Sequence, residues 1–327
     1  MRNRSLPSAV DQQARGIVRR RRPFLFSVSL VACYLSLVTA QAADRPLRVV
    51  ATLSTFADLA KTVGGERVEV STIASPRFNP HFIEPKPSDV LKVKRAELFI
   101  HAGLDLELWR WPLLDAAGNR DVMTGGPREL DLSRGIALLE VPDRAVSRAE
   151  GDIHLYGNPH YWLSPENAAV MARAICDKLC ELDPQHRDPY HQRLDAFLSR
   201  LHERMASWRA EMASYQGEEL IGYHNEWPYL IQFTGLRMEH FLEPKPGIPP
   251  TPKHVEFIER YIRDHRVPAI VQATYFPKGT AEAVAKRSGS SVLLLCQGVG
   301  ELPACSDYLT MLDYNVQQLA AALGSAR

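Results

Sequence analysis

Asn79-Pro80-His81-Phe82 and Asn158-Pro159-His160-Tyr161-Trp162 carry the same Asn-Pro-His triplet, each with aromatic residues behind it. Proline fixes its own φ and biases the residue before it toward extended geometry, so each histidine leaves a stiff loop in a defined direction. A metal ligand needs that stiffness. A third candidate, His224, ends the apolar run Leu220-Ile221-Gly222-Tyr223, where a buried strand opens into a loop. Three imidazoles on three separate segments meet only in the folded chain, and the chemistry they point to is coordination of a divalent transition metal.

The elements that must position them come from a chain of 327 residues, 45% hydrophobic and 24% charged, ordinary globular material long enough for two cores. The N-terminus has the three parts of a secretory signal peptide: Arg19-Arg20-Arg21-Arg22, an apolar run from Phe24 to Ala40, and Ala40-Gln41-Ala42, with cleavage expected after Ala42. A membrane anchor is the other reading, although that run contains Ser and Thr and sits at the lower length limit for a spanning helix. Arg21-Arg22-Pro23-Phe24-Leu25 reads as a weak twin-arginine signal, and Leu30-Val31-Ala32-Cys33 as a weak lipoprotein box. Without residues 1–42 the chain keeps 32 basic and 37 acidic residues, net −5, which excludes a nucleic-acid binder.

Export also places the remaining Cys176, Cys180, Cys296 and Cys305 where disulfides persist. Cys176 and Cys180, one helical turn apart, read as small apolar packing residues. Cys296 and Cys305 flank a loop and are the pair placed to bridge. No C-x-x-C spacing speaks for a thiol zinc site.

Along the chain, strands are expected at Leu47–Thr52, Val68–Ile73 and Ala96–Ile100, with helices at Phe56–Val63 and from Pro87 to Arg95, a βα alternation that argues for a parallel sheet covered on both faces. Leu104–Leu114 reads as a further helix, and Asp115–Tyr156 as strands and loops that include Ile136–Leu139. Ser164 caps a helix over Pro165–Leu182. Leu194, Phe197, Leu198, Leu201, Met205, Trp208 and Met212 then recur at three- and four-residue steps, predicting one helix over His186–Tyr215, about 45 Å long. The second half repeats the pattern: strands at Glu219–Tyr223, Leu236–Leu242, Ala269–Ala273 and Ser291–Leu295, and helices at Trp227–Phe233, Thr251–His265, Pro277–Ser288 and Asp307–Leu323.

In this setting the chain resembles the extracytoplasmic solute-binding proteins of zinc and manganese ABC importers, the metal-binding cluster A-I family. The resemblance covers nearly the whole mature chain. It rests on the loop from Asn79 to Asp89, on Gly103-Leu104 with Glu107 and Trp109, on Gly157 to Asn167, on Tyr223-His224 with Tyr229 and Gly235-Leu236, and on Tyr308 to Asn315. It implies an α/β fold of two lobes, each with a mainly parallel sheet flanked by helices, joined by one long spine helix: signal peptide 1–42, N-terminal metal-binding lobe 43–183, spine 184–216, C-terminal metal-binding lobe 217–327.

By the family pattern His81 and His160 come from the first lobe and His224 from the second, at the carboxyl ends of strands. The family usually supplies an aspartate after the last strand. An ungapped match puts Val299 there, leaving Glu301 as the candidate fourth ligand, with a water or His154 as alternatives. Zinc is favoured over manganese because imidazole-rich sites suit it, and because manganese-type relatives commonly carry a glutamate where this chain has His224. The histidine-rich loop of many zinc relatives is missing, residues 112–153 containing no histidine.

The implied partners are the divalent ion and an inner-membrane permease with its ATPase, and the protein is expected to be a periplasmic monomer that performs no catalysis. Manganese or iron cargo, a secreted zinc hydrolase with Glu226 as base, and an adhesin or metal chaperone on the same fold are the competing readings. Among the other histidines, His101 reads as partly buried, and His186, His191, His202, His240, His254 and His265 as solvated. Trp162 and Trp227 read as packing for the cleft walls, and Glu84 as an orienting or exposed residue.

Overall fold

A computed structural model describes residues 45–143, 154–245 and 247–325. Residues 1–42, where a signal peptide, its cleavage site and the Cys33 box are expected, lie outside them. Among the described residues no helix is long and apolar enough to cross a membrane.

The first half builds a four-stranded parallel sheet, β2-β1-β3-β4, from β1 (Leu47–Ala51), β2 (Val68–Thr72), β3 (Leu98–His101) and β4 (Glu129–Asp131). The second half repeats that order as β6-β5-β7-β8, from β5 (Glu219–Gly222), β6 (Arg237–Phe241), β7 (Ala269–Ala273) and β8 (Ser291–Leu295). In each sheet the first strand lies between the second and third, so the chain leaves it to one side and then crosses to the other. The loops beyond the carboxyl ends of such strands line a crevice.

Helices cover these sheets: α1 (Ser54–Gly64), α2 (Pro87–Arg95), α3 (Arg110–Ala117), α4 (Pro165–Leu182), α5 (Arg187–Met212), α6 (Pro228–Thr234), α7 (Pro252–His265), α8 (Lys278–Ser288) and α9 (Tyr308–Ser325). Their starts follow local chemistry. Ser164 accepts from the Asn167 N–H at 3.3 Å ahead of Pro165, and Thr251 does the same for His254 ahead of Pro252.

The long helix forms where the apolar periodicity predicts it. α5 runs for 26 residues between short 3-10 turns at Pro184–His186 and Ala213–Tyr215. It buries Tyr190, Leu194, Phe197, Leu198, Leu201, Met205, Trp208 and Met212. These side chains belong to one continuous core that also holds Val49 and Phe99 of the first sheet and Val271 and Leu295 of the second. Polar clasps reinforce the packing: Arg193 donates to the Val63 and Gly64 carbonyls at the end of α1, and Trp208 Nε1 donates to Asp313 of α9 at 2.8 Å.

Two local expectations need correction. Leu104–Leu114 is not one helix: Gly103 and Leu104 both take left-handed φ, 68° and 51°, and α3 begins only at Arg110. A Cβ at position 103 would collide with Asp131 Oδ1. The turn is held because Glu107 reaches back to the Ala102 N–H at 3.0 Å while Asp105 accepts from the Leu155 N–H at 2.9 Å. The fourth strand is Glu129–Asp131, and the apolar run Ile136–Leu139 forms none. β4, Glu-Leu-Asp, is only three residues long, too short for an alternation to be told from chance.

Candidate metal centre

The two Asn-Pro-His triplets fold alike at the backbone and then diverge. In the first, Asn79 Oδ1 accepts from the His81 N–H at 2.9 Å, and Trp109 Nε1 pins the loop by donating to the Pro80 carbonyl at 2.8 Å. In the second, Asn158 Oδ1 accepts from the His160 N–H at 3.0 Å and from His160 Nδ1 at 2.9 Å. The Asn158 amide donates to Glu140 and to the Asn225 carbonyl, both at 3.0 Å, which fixes which end faces the imidazole. His160 Nδ1 therefore carries the ring proton, and Nε2 presents its lone pair.

That nitrogen lies 3.3 Å from His81 Nε2. Two imidazole nitrogens bound to one tetrahedral ion at 2.0–2.1 Å are held about 3.3 Å apart, so the pair already has the spacing of neighbouring ligands. His224, just past β5, donates from Nδ1 to Glu243 at 2.8 Å. His154 places Nδ1 3.5 Å from Asp105 Oδ1. In both residues Nε2 is buried without a hydrogen-bond partner. Ligand nitrogens of His81, His154 and His224 all lie within 4.8 Å of one another. Ring centroids tie His160 to the set, 5.3 Å from His81, 5.6 Å from His154 and 5.9 Å from His224.

Buried nitrogens left unsatisfied are costly unless something accepts their lone pairs. Converging imidazoles held by their far nitrogens fit a borderline-soft divalent ion. The electrostatics agree. Burial, reinforced by the neighbouring imidazoles, holds the pKa values of His81 and His160 well below the ordinary 6.5. Both rings are neutral at neutral pH and need lose no proton to coordinate.

His81, His160 and His224 are brought together, and His154 lies among them. Glu301 does not join the cluster. One of its carboxylate oxygens accepts from the Thr274 N–H and hydroxyl, the other from the Gln297 and Gly298 N–H groups at 2.7 and 3.0 Å, so it shapes the turn after β8. The same turn brings Cys296 and Cys305 together, with sulfur atoms 2.8 Å apart. Glu226 is equally committed: it is fully buried, accepts from the Tyr275 hydroxyl and the Gln297 amide, and burial pushes its carboxyl well above the usual range.

Among the remaining histidines, His101 is buried and paired with Glu129 at 2.8 Å. Glu84 is exposed. Asn158 and Glu243, which orient two of the four imidazoles, and Asp105, which lies beside His154, were not assigned these roles from sequence; the doubled Asn-Pro-His motif was the one local signal for any of them.

Comparison with known proteins agrees with this architecture. The family model described as "Zinc-uptake complex component A periplasmic" matches residues 49–322. The chain is 26% identical to the iron-binding protein YfeA of Yersinia pestis over 94% of this chain and 99% of that one. It is 23% identical to the manganese ABC transporter substrate-binding lipoprotein PsaA of Streptococcus pneumoniae over 90% and 94%. The crystal structure of ZnuA superposes with a TM-score of 0.72 at 23% identity, covering 84% of this chain and 98% of that one. The chain belongs to the ZnuA family, the extracytoplasmic metal-binding components of ABC importers, and is a solute-binding protein rather than an enzyme.

Proposed function

We propose that this protein captures zinc through His81, His154, His160 and His224 and presents it to an inner-membrane permease driven by its ATPase. In this reading residues 1–42 direct export and are removed, residues 43–183 and 217–327 form the two metal-binding lobes of a monomer, and residues 184–216 link them. The observation that carries it is the convergence of four imidazoles, two of which have their opposite nitrogens held by Asn158 and Glu243. A donor set of imidazoles without a carboxylate suits zinc, whereas manganese prefers more oxygen ligands. The spine is packed into both lobes, so release proceeds by loop and lobe shifts of modest size that open the site.

Manganese or iron cargo is the second reading, because relatives of this chain are named for those metals. Elemental analysis and chelator competition on the purified protein, wild type beside His160→Ala, decide between them. Near-stoichiometric zinc that is lost in the variant and resists excess manganese supports zinc capture. Full affinity without His160 overturns the site, and displacement of zinc by modest manganese overturns the choice of metal.

A further inference from the structure

We infer that the protein carries a second metal site, for a thiophilic d10 ion, formed by Cys176 and Cys180 of α4 and His191 of α5. Helical spacing puts the two cysteines on one face of α4, one turn apart, and α4 packs along α5 so that His191 covers them. The thiols are 0% and 4% exposed, while His191 lies at the surface. Cys176 Sγ is 3.7 Å from His191 Nδ1 and Cys180 Sγ is 3.8 Å from His191 Nε2, and one donor atom from each residue fits within a 4.8 Å cluster.

A tetrahedral ion with sulfur at about 2.3 Å and nitrogen at 2.0–2.1 Å sets its sulfur and nitrogen ligands about 3.6 Å apart. Each sulfur has one ring nitrogen near that separation, Nδ1 for Cys176 and Nε2 for Cys180. One ion takes one ring nitrogen, and the exposed imidazole is free to turn and offer it. The site is distinct from the cleft: Cys176 lies about 17 Å along α4 from Pro165, which follows the His160 loop.

The donor set differs in kind from the cleft. Two thiolates and one imidazole select zinc or cuprous copper and disfavour manganese, magnesium and calcium. Binding expels the two thiol protons to solvent and joins α4, which starts at the cleft, to the spine. The packing role expected of Cys176 and Cys180 accounts for their burial. It does not account for an imidazole with each of its ring nitrogens facing one of the thiols.

The test is a titration of reduced, metal-stripped protein with Cd2+, followed in the ultraviolet. The cleft set contains no sulfur, and every sample carries C296S/C305S to remove the cysteine pair after β8, so a sulfur-to-metal charge-transfer band reports the α4 cysteines alone. The expected result is a saturable band in this background that disappears when C176S/C180S is added and is weakened about tenfold or more in affinity by His191→Ala, whose exposed side chain can be removed without unfolding the helix. Displacement of Cd2+ by Zn2+ or by Cu+ then identifies the preferred ion. A missing band, a band that survives C176S/C180S, one indifferent to His191→Ala, or a Cys176–Cys180 disulfide in the protein as isolated overturns the proposal.

Discussion

Asn158 grips His160 at two points, accepting from its backbone N–H at 3.0 Å and from its ring Nδ1 at 2.9 Å. The same amide donates across the cleft to the Asn225 carbonyl, one residue beyond His224. One side chain thus sets the tautomer of one candidate ligand and the approach of another. Asn158→Ala is expected to weaken zinc binding about 10- to 100-fold with the fold retained. Chelator competition beside circular dichroism checks this; unchanged affinity would remove Asn158 from the orienting role.

His154 and Glu301 separate by opposite signatures. His154→Ala is expected to reduce metal affinity and leave metal-free stability nearly untouched. Glu301→Gln keeps the imidazole set but turns an NH2 group toward backbone donors, for a stability loss of about 1–3 kcal/mol. Denaturant melts of the metal-free variants and metal titrations of each are the two measurements. A stable Glu301→Gln protein that had lost zinc would restore Glu301 as a ligand.

Acid is expected to act on the metal-free fold through His81 and His160. Their folded pKa values lie well below the ordinary 6.5, so below about pH 6.5 the unfolded chain binds protons that the folded chain refuses. Stability contributed by these groups is intact above that pH and declines as pH falls toward the depressed folded values. Denaturant midpoints at pH 7.5 and 5.5 should show the drop, and replacing both residues by Gln should flatten it. An equal slope in the variant assigns the effect to other groups.

The shared core predicts that the two lobes unfold together. Leu201 is fully buried in the middle of the spine, and Leu201→Ala is expected to cost about 2–5 kcal/mol. Far-ultraviolet circular dichroism and tryptophan fluorescence should shift by the same amount and stay coincident. Separate transitions would mean that each lobe holds its own stability.

Much of this architecture is written in local chemistry. Apolar steps of three and four residues specify α5, Ser164-Pro165 specifies the start of α4, and short β-branched runs between helices specify parallel strands, because backbone sterics and burial act within a few residues. Three of the four clustered histidines were legible for the same reason: Asn-Pro-His and a strand-end histidine are features of short segments. What the sequence alone could not decide was the fourth member. His154 becomes part of the cluster because Asp105, held beyond a left-handed turn at Gly103-Leu104, lies against it. Glu301 is withdrawn because backbone donors from Thr274, Gln297 and Gly298 saturate its carboxylate. His191, solvated by its place on a helix, covers two thiols only because α4 packs beside α5. A carboxylate or an imidazole is given its role by the partners that reach it in space, and those partners lie at sequence distances that no local pattern encodes.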